Sequence, residues 1–284
     1  MEKPAASRTA LATSLMRAAH TRLDPHPLID DPWGDRLVPE SAKRAMASSD
    51  AMLDELLMRS RSYANVITRT RYAEDALKNA VSRGVRQYVL IGAGFDSFSL
   101  RLPKFAANLQ IFEIDFHATQ TLKIGQIDAC GIALSDAVHF IAADLSQESV
   151  AAALARSPFE TKQWTFFSWL GVTMYLTREA NLATLRSIAS CSPAGSEVVF
   201  TYLDERVFQA MSESFRELEQ RVAAVGEPFL SGFDPPELAA NLAACGLDLL
   251  EDLNGSDAAA RYDRGGELSS GRSMFSHIAL ARVK

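Results

Sequence analysis

Residues 87–96, Gln87-Tyr88-Val89-Leu90-Ile91-Gly92-Ala93-Gly94-Phe95-Asp96, run from an apolar stretch straight into a Gly-x-Gly turn. A short apolar run stopped by glycine reads as a buried strand. Glycine at its end lets the chain turn sharply and lets a ligand approach the backbone closely. The third glycine of the dinucleotide fingerprint is absent, because Ser97 stands in its place. The turn therefore points to nucleoside binding in general and to no one cofactor.

Working outward, Ile111-Phe112-Glu113-Ile114-Asp115 follows about twenty residues later, the distance at which an acid at the end of the second strand reaches ribose hydroxyls. Glu113 and Asp115 lie two apart and share a strand face. Asp115, nearer the strand's end, is the expected ribose ligand. Ile141-Ala142-Ala143-Asp144-Leu145 closes the next strand, where a carboxylate can accept from the exocyclic amine of adenine. Three polar landmarks at carboxyl ends of strands converge where open parallel sheets bind ligands. They favour a nucleoside-containing cofactor, without separating a nicotinamide cofactor from S-adenosylmethionine.

The surrounding pattern agrees. Candidate strands are Tyr88–Ile91, Gln110–Ile114, His139–Ala142, Thr165–Trp169, Glu197–Tyr202, Asp248–Glu251 and Phe275–Ala281, with helical segments such as Ser146–Arg156 and Arg178–Ala189 between them. Strand–helix alternation predicts an α/β, doubly wound, mostly parallel sheet. Residues 1–84 read as helices only, at Thr9–Leu23, Ala42–Leu57 and Val66–Ser82, with an irregular three-proline loop from Asp24 to Gly34. The second helix is expected to bury Met46, Met52, Leu53, Leu56 and Leu57. The predicted division is an N-terminal helical cap over 1–84 and a cofactor-binding domain over 85–284, with a helical insert at about 204–245. In that insert Phe208, Met211, Phe215, Leu218, Val222 and Val225 recur at helical spacing. A loop with exposed aromatics follows over Gly226–Phe233, then a helix over Pro235–Cys245. The insert either covers the mouth of the site or packs on the sheet edge.

The chain of 284 residues is 48% hydrophobic and carries a formal charge of −6, with no basic run, which disfavours a nucleic-acid partner. Cys130, Cys191 and Cys245 are scattered, supporting neither a disulfide framework nor structural zinc, and a reducing cytosol is the expected location. No apolar run is long enough for a membrane span, so no membrane partner is expected. Residues 3–23 contain arginines and no acid, as a transit peptide would, but their apolar spacing favours a first helix of the fold. The five histidines form no ligand-spaced cluster with acids, so no metal is expected.

Three stretches resemble the leucine carboxyl methyltransferase family, especially its bacterial S-adenosylmethionine-dependent branch. They are Arg69-Thr70-Arg71-Tyr72-Ala73-Glu74-Asp75, the glycine turn with Arg101-Leu102-Pro103 behind it, and Gly171-Val172-Thr173-Met174-Tyr175-Leu176-Thr177. Thr9-Ala10, Leu28-Ile29-Asp30-Asp31-Pro32 and Gly226-Glu227-Pro228-Phe229 also match in type and order. The resemblance runs from about residue 8 to the end. It implies a seven-stranded Rossmann-like methyltransferase sheet with a reversed last strand, and S-adenosyl-L-methionine as cofactor. It further implies Arg71 on the methionine carboxylate, Gly92, Gly94 and Asp96 lining the cofactor, Asp115 on the ribose, and Asp144 and Leu145 beside the adenine. One departure stands out: family members often carry a glutamate just before the Gly-Val, where this chain has Leu170.

The activity so implied is O-methylation, with a carboxylate of a small molecule as the acceptor. A free carboxylate is already ionised and needs no general base. Arg17 and Arg71 are the candidates to orient it, with Tyr175 and Tyr202 as hydrogen-bond donors. A phenol or alcohol acceptor would need a base, for which His20, His26 and His277 are the first histidines to consider. A nicotinamide-dependent oxidoreductase is the alternative from another enzyme class.

Overall fold

The computed structural model describes residues 7–60, 62–210, 226–263 and 275–284, together with 215, 216, 219, 220 and 223. Its centre is a seven-stranded sheet in the order β3-β2-β1-β4-β5-β7-β6. The strands are β1 (Gln87–Ile91), β2 (Gln110–Asp115), β3 (Val138–Ala142), β4 (Thr165–Trp169), β5 (Glu197–Leu203), β6 (Leu247–Asn254) and β7 (Ser276–Val283). The first five pair in parallel, and β7 runs antiparallel to both β5 and β6. The expected reversed last strand is thus present. The last two strands are longer than the sequence suggested, and β6 carries an irregularity between Leu249 and Glu251.

Side-chain alternation along the strands builds two cores. Val89 and Ile91 of β1, with Phe167, Trp169, Val198 and Phe200, face helices α7 (Val150–Leu154), α8 (Arg178–Cys191) and α10 (Pro235–Ala244). Tyr88 and Leu90, with Ile111, Phe166 and Val199, face the C-terminal half of α4 (Tyr63–Ser82) and α11 (Gly255–Tyr262). Helices on both faces make the sheet doubly wound. The segment expected to be helical from Ser146 is shorter, since Ser149 accepts from the Ala152 amide and starts α7 only there.

The N-terminal helices are α1 (Arg8–Leu23), α2 (Glu40–Met46), α3 (Asp50–Met58) and α4, while α5 (Phe98–Arg101) and α6 (His117–Ala129) follow β1 and β2. Leu11, Leu15 and Ala19 of α1 meet Leu53 and Leu57 of α3, Tyr63 to Ile67 of α4, and Phe95 from the glycine turn. The N-terminal half of α4 therefore lies in the cap core and its C-terminal half on the sheet. The single helix expected over Ala42–Leu57 is broken: Ala47 is extended and the Ser49 hydroxyl caps a new helix at the Met52 amide. Its apolar face is narrower than expected, as Leu53 and Leu57 are buried while Met52 and Leu56 are 57% and 56% exposed.

Residues 206–210 are helical (α9, Arg206–Ala210) and 215, 216, 219, 220 and 223 are also helical. Met211, Leu218, Val222 and Val225 of the expected insert face lie outside the described residues. The loop after it does not expose its aromatics as expected: Phe233 is fully buried against Phe200 and Tyr202, and Phe229 stacks on Phe215. Within this region α10 packs on the sheet, and Gly226 and Glu227 line the cavity described below.

A buried ion pair within the cap holds the arginine that ties the cap to the turn after β1. Arg17 donates from Nε to Asp31 Oδ2 at 2.9 Å and from Nη2 to the Phe95 carbonyl at 2.7 Å. Asp31 Oδ1 accepts from the Trp33 and Gly34 amides. Burial alone would raise the Asp31 carboxyl, but Arg17, Arg101 and hydrogen bonds from Ser97 and Arg17 hold it below the usual carboxylate range. A carboxyl lowered on folding stabilises fully above its unfolded value of about 3.9 and loses that contribution as the pH falls through the folded value. Removing one partner of such a pair costs about 3–5 kcal/mol. Urea titration should show Asp31→Asn destabilised by about that amount between about pH 6 and 8, with the gap to wild type narrowing below about pH 4.

Candidate functional site

A cavity of about 510 Å³ opens at the carboxyl ends of β1 to β4. Parallel strands end there in a row, so each contributes the residue that follows its last pairing. From the first turn come Gly92, Gly94 and Asp96; from β2, Asp115; after β3, Asp144 and Leu145; after β4, Leu170, Gly171 and Val172. Thr9, Ala10, Thr13 and Arg17 of α1 roof it, Arg69 of α4 stands at one side, and Gly226 and Glu227 border it from the late loop.

The turn is held by specific contacts. Gly92 has φ +68°, and a Cβ there would meet Val172 Cγ2 at 2.4 Å. The Gly92 amide donates to the Ile114 carbonyl at 2.9 Å, and the Gly94 amide to Asp115 Oδ2 at 2.5 Å. The other Asp115 oxygen accepts from the Phe116 amide. Burial raises the Asp115 carboxyl although both amides pull the other way. Asp96 accepts from the Phe98 amide, and Asp144 from the Ser146 amide and hydroxyl. Glu113, the other acid of β2, is turned away from the cavity wall: Ser99 and Lys123 bind its carboxylate in a buried cluster.

The two arginines of the Arg69-Thr70-Arg71 stretch have different fates. Arg71 does not line the cavity. Its Nε is bound by both oxygens of Asp75 and its Nη1 donates to the Leu28 carbonyl at 3.0 Å. Two residues on a helix are about 200° apart, so the cavity receives Arg69 instead. The Arg69 guanidinium lies against Gly171, whose φ is +71° and where a Cβ would stand 2.7 Å from Nη2. Among the described residues its one hydrogen-bond partner is Asn65 Oδ1, at 3.3 Å. Burial, opposed by Tyr175 and the Asp96 charge and reinforced by the Arg17 charge, pulls the guanidinium down to about 10. No carboxylate among the described residues lies within ion-pair distance of it, and an anionic ligand group in the cavity would supply one.

Of the other candidates, Arg17 and Tyr175 line the cavity. Burial, together with the Glu227 charge, raises the Tyr175 phenol, and Thr9 hydrogen-bonds to it. Tyr202 lies elsewhere: its hydroxyl donates to Asp252 Oδ2 and its ring stacks on His277. His277 Nδ1 also faces Asp252, and His20 sits in the cap between Tyr63 and the Leu28 amide. No histidine lines the cavity among the described residues, His26 included. No described group of histidine, cysteine and acid residues is arranged to hold a metal ion, and no described helix is long and apolar enough to cross a membrane.

Sequence reasoning missed Arg69, Thr9, Thr13, Ser168 and Glu227. A signal existed for the first. Arg71 has an acid four residues on, which marks it as already partnered, whereas Arg69 has none. Ser168 shares the terminal turn of β4, but one serine in an apolar strand carries no signal of its own.

The fold and this row of strand ends define a nucleoside-cofactor enzyme of the open α/β type. The profile of the leucine carboxyl methyltransferase family matches residues 10–189. YktD of Bacillus subtilis, a candidate S-adenosyl-L-methionine-dependent methyltransferase, is 32% identical over 90% of this chain and 91% of its own. A candidate methyltransferase of Mycolicibacterium smegmatis, likewise S-adenosyl-L-methionine-dependent by name, is 30% identical over 70% of this chain and 67% of its own. Among solved structures, a DUF574 family protein of Streptomyces avermitilis shares the fold with a TM-score of 0.64 at 13% identity, covering 99% of this chain and 98% of that one. The chain belongs to the leucine carboxyl methyltransferase family, and so to the methyltransferases that use S-adenosyl-L-methionine.

The closeness of Val172 to Gly92 makes a direct test. Gly92→Ala should lose about 1–3 kcal/mol of stability in urea titration, from the positive φ and the contact together. Adding Val172→Ala should recover part of that loss, the contact being relieved and the backbone strain not.

Proposed function

We propose that this enzyme transfers a methyl group from S-adenosyl-L-methionine to a carboxylate oxygen of a small molecule, forming a methyl ester. The observation that carries the reading is the pair of guanidinium groups, Arg17 and Arg69, on a cavity wall that presents no histidine among the described residues. An anionic group from the cofactor and one from the acceptor can each meet a guanidinium there, and no histidine among the described residues stands by to deprotonate a neutral hydroxyl.

The residues fit the cofactor. Asp115, already oriented by two backbone amides, has acceptor capacity left for ribose hydroxyls. Asp144 and Leu145 lie one strand further on, where they would flank the adenine, and the glycine turn places Gly92 and Gly94 on the cavity wall. Arg69, not Arg71, is assigned to the methionine carboxylate, because its guanidinium faces the cavity and lacks an anion. When bound, the cofactor supplies a methyl group already activated on a sulfonium. The chain's own contribution is positioning: Arg17 and Tyr175 orient the acceptor carboxylate, and the roof of α1 excludes water. Well-oriented reactants gain about 7–11 kcal/mol over free encounter.

Three measurements check this. S-adenosylhomocysteine at a hundredfold excess over its Kd should stabilise the protein by about 2.7 kcal/mol in thermal unfolding, and NAD should not. Arg69→Met and Asp115→Ala should each weaken S-adenosylhomocysteine binding at least about tenfold by calorimetry, whereas Arg71→Met should change it less than about twofold. With radiolabelled cofactor and a panel of small acids and phenols, the incorporated methyl should be released as methanol by alkali. An alkali-stable label marks an ether and overturns the carboxylate reading.

A further inference from the structure

Four carboxylates line the cavity: Asp96, Asp115, Asp144 and Glu227. The first three are engaged by the protein's own amides and hydroxyls, as described above. Glu227 differs. Its Oε2 is buried and has no hydrogen-bond partner among the described residues. A buried carboxylate oxygen left without a donor is costly, and such groups are retained where a ligand completes them.

The position of this acid is fixed by its loop. The Leu230 amide donates to the Met174 carbonyl at 2.7 Å, and the Ser231 hydroxyl donates to the Leu176 carbonyl at 2.7 Å and accepts from Asn181. Phe229 packs on the Tyr175 ring with centroids 5.7 Å apart. The loop is thereby tied to the segment after β4, and Glu227 comes within electrostatic range of Tyr175. Arg69 acts on the same tyrosine from its own position on the wall. Tyr175 is therefore flanked by an under-compensated cation and an under-compensated anion. Leu170 and Gly171, next along the wall, bring no side-chain charge.

We propose that Glu227 is a specificity-determining residue that, opposite Arg69, receives the ammonium of an α-amino-acid zwitterion in this cavity. The zwitterion's ammonium goes to Glu227, and its carboxylate goes to the guanidinium assigned above, Arg69 for the cofactor or Arg17 for an acceptor. The zwitterion has two possible sources, the methionine part of the cofactor or an amino-acid acceptor. The inference rests on the methyltransferase reading of the cavity.

The test uses the intact protein, with Glu227→Gln to remove charge at constant shape and Glu227→Ala as a second variant, each checked for an unchanged thermal midpoint. Calorimetry compares S-adenosylhomocysteine with its analogue lacking the α-ammonium. If the cofactor supplies the zwitterion, wild type prefers the full ligand by about tenfold or more, and both variants reduce that preference to less than about twofold. If the acceptor supplies it, this preference is the same in all three proteins. Radiolabel transfer to paired carboxylic acids with and without an α-amino group then favours the amino member in wild type and loses that bias in both variants. Unchanged discrimination in both experiments overturns the role of Glu227 while leaving S-adenosylhomocysteine binding, and so the methyltransferase reading, intact. A wild-type protein that fails to bind S-adenosylhomocysteine overturns both.

Discussion

The hydrogen bond from the Gly94 amide to the Asp115 carboxylate joins the turn after β1 to the end of β2, and the cavity is arranged around it. It explains why the acid belongs at the last position of β2, for one residue earlier it would point to the opposite face. It also holds a negative charge in a site from which burial would otherwise expel it. The turn and the acid thus form one unit, with the carboxylate fixed by backbone donors before any ligand arrives. The close approach of Val172 to Gly92 extends that unit to the segment after β4.

Much of this was legible in the sequence, because the central strands are short apolar runs cut by glycine and acid. Thr165–Trp169 was placed to the residue, and Asp115 was distinguished from Glu113 by strand position alone. The failures have physical causes. The Ala42–Leu57 pattern was read as one helix because its apolar residues keep helical spacing, but Ser49 offers a side-chain acceptor that restarts the helix. The family resemblance points to Arg71, but its i,i+4 acid, Asp75, pairs with it outside the cavity. Tyr202 sits at the end of β5 as a site residue would, yet alternation turns its ring onto Phe233 and His277. Gly226 and Glu227 are distant in sequence from the other wall residues, and no local pattern announces that a loop closes on a cavity.

The charges of the site are organised by contrast. Arg17 is spent on Asp31 and the Phe95 carbonyl, and so serves the joint between cap and sheet as well as the wall. Lys123 and Glu113 neutralise each other in a buried cluster behind β2. Arg69 is left with a single amide oxygen. Stability is thus secured by buried paired charges, while Arg69 and Glu227, with less internal compensation, face the space where a ligand would lie.

The sheet also gives the molecule a direction. Ser7 and Thr9 lie at the cavity, on the side where the parallel strands end. Arg282 pairs with Glu197, the first residue of β5, so the chain leaves β7 at the opposite edge. The two ends of the described chain therefore emerge on opposite sides of the sheet. A fusion partner or surface attachment placed after Lys284 leaves the mouth of the cavity free, while the same addition ahead of Ser7 stands at its door.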